Sequence, residues 1–306
     1  MTASSDTIAA PAPPSARHPT RPFYWSLRRE LWENRSIYIA PLVAAGVVLF
    51  GVLISGLHPP NLTYVHNGVV HMRGPMVLPA AAAFAFAAFV VFATSVIVGV
   101  FYCLAALNAE RRDRSILFWK SLPVSDLTTV LSKAAVPLVV LPLVTFAVIL
   151  GAQILMLALN LVIRLAHGQD PAGAFPGVPL QQVLGLELYA LVTLALWYAP
   201  VWGWLLLASA WAKRMTFLWG IGPPLALCVV ERMAFNTAYF WTALQHRLSG
   251  GFDAAVTPGP AGRGMAGLPQ PDPARFLSSP ELWIGLALAA AFLAAAVWLR
   301  RRREPI

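Results

Sequence analysis

Charge is scarce in this sequence. Of 306 residues only 11% are charged, whereas a soluble domain carries roughly 25%. Cysteine is almost absent. Cys103 and Cys228 are too few for a disulfide framework or a thiolate zinc site, and both lie inside apolar runs, where a thiol behaves as a small hydrophobe. Thirteen acidic residues and six histidines leave few groups for acid–base chemistry. There is no G-x-x-x-x-G-K-[ST] loop to cradle nucleotide phosphates, no H-E-x-x-H and no G-x-S-x-G. What is abundant is apolar: 58% of the residues, with a mean hydropathy of +0.67. This argues against a soluble globular enzyme and against disorder over most of the chain. The expectation is an all-α polytopic membrane protein.

A helix needs about 20 apolar residues to cross about 30 Å of hydrocarbon, because lipid offers the backbone no hydrogen-bond partner. Six runs are read as spans: 36–57, 78–107, 134–166, 183–212, 216–230 and 281–299. The second has 30 residues and must tilt or protrude. The fifth has only 15 and carries Pro223-Pro224, which predicts a kink. It must either continue past Glu231 or thin the bilayer around it. The first run is too long for a signal-peptide core and follows a 35-residue lead, so it is read as a retained span.

Six spans place both termini on one side. The segments on that side hold 16 Lys and Arg, and those on the other side hold 6. Positive charge stays on the cytoplasmic face, so both termini are expected inside. The Ala-, Arg- and Pro-rich composition points to a bacterial cytoplasmic membrane. The net charge of +9 then reflects contact with anionic membrane lipids, not nucleic acid. Arg300 to Arg303, in the basic tail 300–306, read as a headgroup anchor.

Residues 1–20 are rich in Pro, Ala and Ser and are expected to be disordered. In 21–35, Phe23, Leu27 and Leu31 share one helical face, and Trp25 and Trp32 suit the headgroup layer. An interfacial amphipathic helix is expected there. The loop 108–133 opens on the charge cluster Glu110, Arg111, Arg112, Asp113 and Arg114. Ser115 can cap a short helix carrying Ile116, Leu117, Phe118, Trp119, Lys120 and Leu122, which Pro123 ends. Ser125 or Asp126 then caps the helix entering the third span. Pattern alone fits either a lever at the membrane face or a solvated loop with interfacial aromatics.

On the opposite side, His58, His66 and His71 fall within 14 residues, but no acidic residue accompanies them in that loop. Exposed loop histidines are the expectation, with an outer-face histidine site of a membrane enzyme (a transferase or protease) as the alternative. The external stretch 231–279 begins with an aromatic segment suited to a re-entrant or interfacial helix, and 249–275 reads as a flexible Gly/Pro-rich loop. Polar groups within the spans are functional candidates. Gln153 lies deep in the third run, where it either faces a pathway or joins two helices. Glu187 lies in the fourth, and Glu231 at the end of the fifth. Alanine pairs Ala83/Ala87 and the row Ala287/Ala291/Ala295 permit close helix approach.

The stretch from Glu110 to Lys133 resembles the region between the second and third spans of type-2 ABC (ATP-binding cassette) exporter permeases. An acidic residue precedes a leucine-proline-valine-serine turn there, and a lysine opens the third span. Here Glu110, Leu122, Pro123, Val124, Ser125 and Lys133 take those places. The Phe118-Trp119 pair departs from the smaller residues of the family. The resemblance implies a transport subunit without catalytic residues, metal or cofactor of its own. A separate ABC ATPase subunit would bind ATP and Mg, and a second permease chain would complete the pathway. Residues 115–122 would be the coupling helix, with Glu110 to Arg114 beside it. Gln153, Pro223, Pro224 and Glu231 would lie near the pathway or its outer gate.

Overall fold

The computed structural model describes residues 22–57, 63–66, 69–72, 80–112, 125–174, 180–257 and 270–302. The N-terminal segment 1–20, the stretch 113–124 and His58 lie outside the described residues, and so do Asp113, Arg114 and the whole expected coupling helix.

Helix α1 (Pro22–Glu33) occupies the interfacial stretch, and α2 (Ser36–Leu57) the first apolar run. Asn34 ends α1 by donating its Nδ2 to the Glu30 carbonyl. Strands β1 (Thr63–His66) and β2 (Val69–Met72) pair antiparallel where a plain loop was expected, with Tyr64 opposite His71 and His66 opposite Val69. Helices α3 (Ala80–Ala106) and α4 (Asn108–Arg112) form the second run. Helix α5 (Asp126–Ala135), a π turn (Val136–Val140) and α6 (Leu141–Ala166) form the third. The fourth is α7 (Leu180–Trp197) and α8 (Ala199–Trp211). Helix α9 (Thr216–Phe235) is the fifth and α13 (Pro280–Arg302) the sixth.

Five helices are long and apolar enough to cross a membrane: Ser36–Gly56, Ala82–Glu110, Asp126–Ala166, Thr216–Phe235 and Pro280–Arg302. A sixth is obtained if the pair Gln181–Trp197 and Ala199–Trp211, bent by 47°, counts as one span. Outward-facing side chains are apolar, with Phe50, Phe89, Phe101 and Trp298 all exposed. Lipid is the solvent such faces need, and the architecture is that of an all-α polytopic membrane protein.

Two breaks were not visible as apolar runs. Pro200 has no N–H to give the Leu196 carbonyl, and its ring crowds that turn, so the fourth run bends at Tyr198. In the third run, Pro137 and Pro142 remove two donors, and Leu141 N–H reaches back to the Val136 carbonyl, one residue farther than in an α-helix.

The fifth run continues past Glu231 to Phe235, and the helix passes through Pro223-Pro224 without interruption. It is bounded by two left-handed residues, Met215 (φ 52°) and Asn236 (φ 51°). Only 6% of its apolar window is buried, against 22–28% in the other four. Helix α9 is therefore the least packed of the apolar helices.

Packing is closest between α8 and α13. Gly203 lies against the Ala289 backbone, where a Cβ would come within 3.2 Å of the carbonyl oxygen. The buried face of α13 is Leu282, Gly285, Ala289 and Ala296. Of the expected alanine row, Ala287 and Ala291 are exposed, so contact runs along the neighbouring face. Ala87 is buried beside Met156 as small residues at a helix interface should be.

Of the segment 249–275, residues 258–269 lie outside the described residues, and the parts on either side carry short elements where a loop was expected. After α10 (Tyr239–Ser249) come α11 (Gly251–Ala255), the two-residue strands β3 (Val256–Thr257) and β4 (Gln270–Pro271), and α12 (Pro273–Ser278), N-capped by Asp272. Trp197, Ala255, Phe276 and Leu282 form the small core of this cap. Its apolar residues come from three distant parts of the chain, so local periodicity could not reveal it.

Candidate functional site: a buried charge cluster joining the first and last helices

Helix α1 packs Leu27 and Leu31 against the main core, and Glu30 lies between them on the buried side. Phe23 does not join that face. It is exposed, as are Tyr24, Trp25 and Trp32. The Arg28 guanidinium stacks over Trp25 at 5.5 Å and Trp32 at 4.9 Å, which gives α1 an aromatic–cationic outer face suited to headgroups.

Helix α5 starts under a Ser125 cap, whose Oγ accepts from Thr128 N–H at 3.1 Å. Asp126 and Lys133, two turns apart, share a face. Glu110 is positioned by the break at Leu107. Ser209 Oγ on α8 accepts both Leu107 N–H and Asn108 N–H at 3.0 Å, and Asn108 Nδ2 donates to the Ala212 carbonyl at 2.6 Å. Arg300 comes from the last turn of α13.

These groups meet in one network. Lys133 Nζ lies 2.7 Å from Glu30 Oε1 and 3.2 Å from Glu110 Oε1. Arg300 Nη1 lies 2.7 Å from Glu110 Oε2, and its Nε lies 2.8 Å from Asp126 Oδ1. The Tyr102 hydroxyl donates to Glu30 Oε2 at 2.9 Å. Both oxygens of each glutamate are thus satisfied. Glu30, Glu110, Lys133 and Arg300 are all buried. Burying charge is costly, and the cost is offset only by such complete pairing. The cluster ties α1, α3, α4, α5 and α13 together and brings the first and last described helices to one end of the bundle.

Replacing Ser209 with alanine leaves two buried N–H groups without their acceptor. A loss of about 1–3 kcal/mol is expected. A lower melting temperature in detergent, with faster amide exchange at Leu107 and Asn108, is the readout.

Of this network the sequence pointed to Glu110, as a candidate, and to Lys133, as a position in the motif that carries the resemblance. It did not point to Glu30, Tyr102, Asp126 (as a charge partner), Ser209 or Arg300. Arg300 is a correction to the headgroup-anchor reading of the tail: its side chain turns inward, whereas Arg301 and Arg302 are exposed and Arg302 stacks on Trp298 at 4.5 Å. The first arginine of the tail follows the buried face of Ala296 and Val297, and that phase was the available signal. Arg112 ends α4 at the surface, and Arg111 lies in the same helix. Ile116, Leu117, Phe118, Trp119, Lys120 and Leu122 lie outside the described residues.

The remaining candidates are dispersed. Gln153 is buried and its Nε2 donates to Glu187 Oε1, which joins α6 to α7. Glu231 takes the N-terminus of α10: it accepts from Thr237 Oγ1 at 2.9 Å, Tyr239 N–H at 2.8 Å and Phe240 N–H at 2.9 Å. Such a carboxylate suits the positive end of a helix. Pro223 and Pro224 lie on α9, whose buried residue Gly220 faces Leu104.

The cap is pinned by Arg247. Its guanidinium stacks over Trp197 at 4.5 Å and donates through Nη2 to the Glu281 carbonyl at 2.9 Å. Gly285 leaves room for it, since a Cβ there would overlap Nη2. Burial pushes the Arg247 guanidinium below its ordinary pKa, and the Glu281 charge works against that shift. Among the described residues, no group of three His, Cys, Asp or Glu is placed to hold a metal.

Fold and site together define a polytopic α-helical membrane protein with an ion-paired knot where its first and last described helices meet. No protein-family model matches the chain, and no curated protein matches it in sequence.

Proposed function

We propose that this chain is the permease subunit of an ABC exporter of the bacterial cytoplasmic membrane, with both termini in the cytoplasm. It would move a hydrophobic or amphipathic cargo out of the cytoplasm or inner leaflet. ATP and Mg would be held by a separate ATPase subunit. The observation that carries this reading is the position of the charge cluster. The described residues stop at Arg112 and resume at Ser125, and Glu110, Asp126 and Lys133 flank those two points. A push on Phe118 or Trp119 would enter the cluster directly and reach five helical elements at once. The resemblance of Glu110 to Lys133 to a coupling loop and the 16-to-6 bias of basic residues agree with it. The lightly packed α9 supplies an apolar face for the second permease, either a copy of this chain or a related one.

The test is purification from native membranes followed by ATPase and efflux assays in liposomes. A P-loop ATPase should accompany the chain. Phe118→Asp and Trp119→Asp should each lower transport at least tenfold while the isolated permease keeps its melting temperature. A chain that purifies without an ATPase, or variants that transport normally, would overturn the reading.

A further inference from the structure

We propose that α1 is a clip fastened from outside by an anionic phospholipid, whose phosphate sits on the Arg28 guanidinium, so that the hold of α1 on the buried cluster depends on the lipid around it. The inference needs no ATPase and stands whether or not the exporter reading does. Helix α1 has two faces with separate tasks. Leu27, Glu30 and Leu31 face the bundle. The leucines pack on the main core, and Glu30 takes the Lys133 ammonium at 2.7 Å and the Tyr102 hydroxyl at 2.9 Å. Trp25, Arg28 and Trp32, at i, i+3 and i+7, face away, and all three are exposed. The Arg28 guanidinium lies 5.5 Å from one ring and 4.9 Å from the other. Stacking occupies the faces of the planar ion and leaves its N–H edge open, which is the edge that takes two phosphate oxygens. The exposed carboxylate of the helix, Glu33, is taken by Arg29 at 2.5 Å.

Charge and depth select the lipid. Helix α1 runs through a two-residue turn into the apolar α2, and tryptophan rings favour the headgroup layer at the end of a span. The same end of the bundle carries Arg302, stacked on the exposed Trp298, and the exposed Lys213 and Arg214, which follow the Ala212 carbonyl that Asn108 holds. A zwitterionic headgroup brings its own cation to this cationic rim, whereas an anionic one brings a phosphate without one. A soluble phosphate lacks the glycerol and chains against which the two rings would lie. The helix needs a hold on its outer face. Its 12 residues are at the lower limit for a stable isolated helix in water. Peeling it away takes the Glu30 carboxylate out of the knot and leaves the buried Lys133 ammonium short of one partner. One rigid helix thus links the outer contact to the inner one, and by linkage each strengthens the other.

The test is amide hydrogen exchange along α1 in the full chain, held in nanodiscs of phosphatidylcholine alone or with one part in three of phosphatidylglycerol. The anionic lipid should slow exchange from Leu27 to Leu31 about fivefold, the factor one basic residue gains at an anionic surface. Arg28→Gln should abolish that gain while exchange in pure phosphatidylcholine stays as in the native protein. The double variant Trp25→Leu with Trp32→Leu, which frees the guanidinium, should reduce the gain as well. Arg301→Gln removes an equal exposed charge from the same end and should keep it. Lys133→Met breaks the inner hold, so exchange should speed up in phosphatidylcholine and slow again in part with phosphatidylglycerol. Equal exchange in the two lipids, a gain that survives Arg28→Gln, or one lost equally in Arg301→Gln would overturn the clip. So would inorganic phosphate that slows α1 in phosphatidylcholine discs as much as the anionic lipid does, since the partner would then be a soluble anion.

Discussion

Replacing Lys133 with methionine is expected to destabilise the protein by about 3–5 kcal/mol, the range for breaking a buried ion pair from one side. The reason is specific to the bridge. Lys133 Nζ is shared by Glu30 and Glu110, and both carboxylates are buried. Methionine fills most of the volume but leaves the two carboxylate oxygens that face Lys133, Glu30 Oε1 and Glu110 Oε1, without its ammonium. The measurement is a thermal melt in detergent, paired with Glu30→Gln and with the double variant. Because the two groups touch, their effects should not add, and the double variant should recover part of the loss. Equal melting temperatures for native protein and Lys133→Met would show that the cluster contributes nothing to holding the helices.

The second large effect is expected at the far end. Trp197→Ala removes a fully buried ring that packs on Phe276, carries the Arg247 guanidinium and donates to the Arg247 carbonyl. Losses of about 3–5 kcal/mol are usual for truncating such a side chain. Here the damage should be local. The cap 239–278 should open while the long helices stay packed, so trypsin should cut at Arg247 and Arg275 faster than in the native protein. A cap as resistant to trypsin as in the native chain would mean that Trp197 is not its anchor.

The long apolar runs were legible because lipid imposes a length and a composition that few other constraints mimic. Ser36 to Leu57 and the interfacial stretch before it could be bounded from sequence for that reason. For the fifth run the same arithmetic left two alternatives, a helix continuing past Glu231 or a thinned bilayer, and the helix continues to Phe235. The breaks at Pro137, Pro142 and Pro200 were hidden because hydropathy does not register a missing N–H. Glu110 and Lys133 stood out through motif spacing. Their partners did not, since Glu30 lies inside a charged stretch and Arg300 heads a run of four arginines. Only helical phase separates the buried member of such a run from the exposed ones, and phase depends on packing against α5 and α4 that no local window contains. The loop expected at 249–275 hid part of the cap, because the core there is assembled from Trp197, Ala255 and Phe276, which are far apart in the chain.

The cluster also sets the order in which the molecule can be completed. Glu110 meets Arg300 across 190 residues of chain. At a ribosomal rate of about 5–20 residues per second, that carboxylate waits about 10–40 s for its partner. Until the final helix has been threaded into the bilayer, the half-built seam holds Glu30, Glu110 and Asp126 against the single ammonium of Lys133. A product truncated before Arg300 would keep this seam ajar, offering proteases of the membrane a mark by which unfinished chains are told from finished ones.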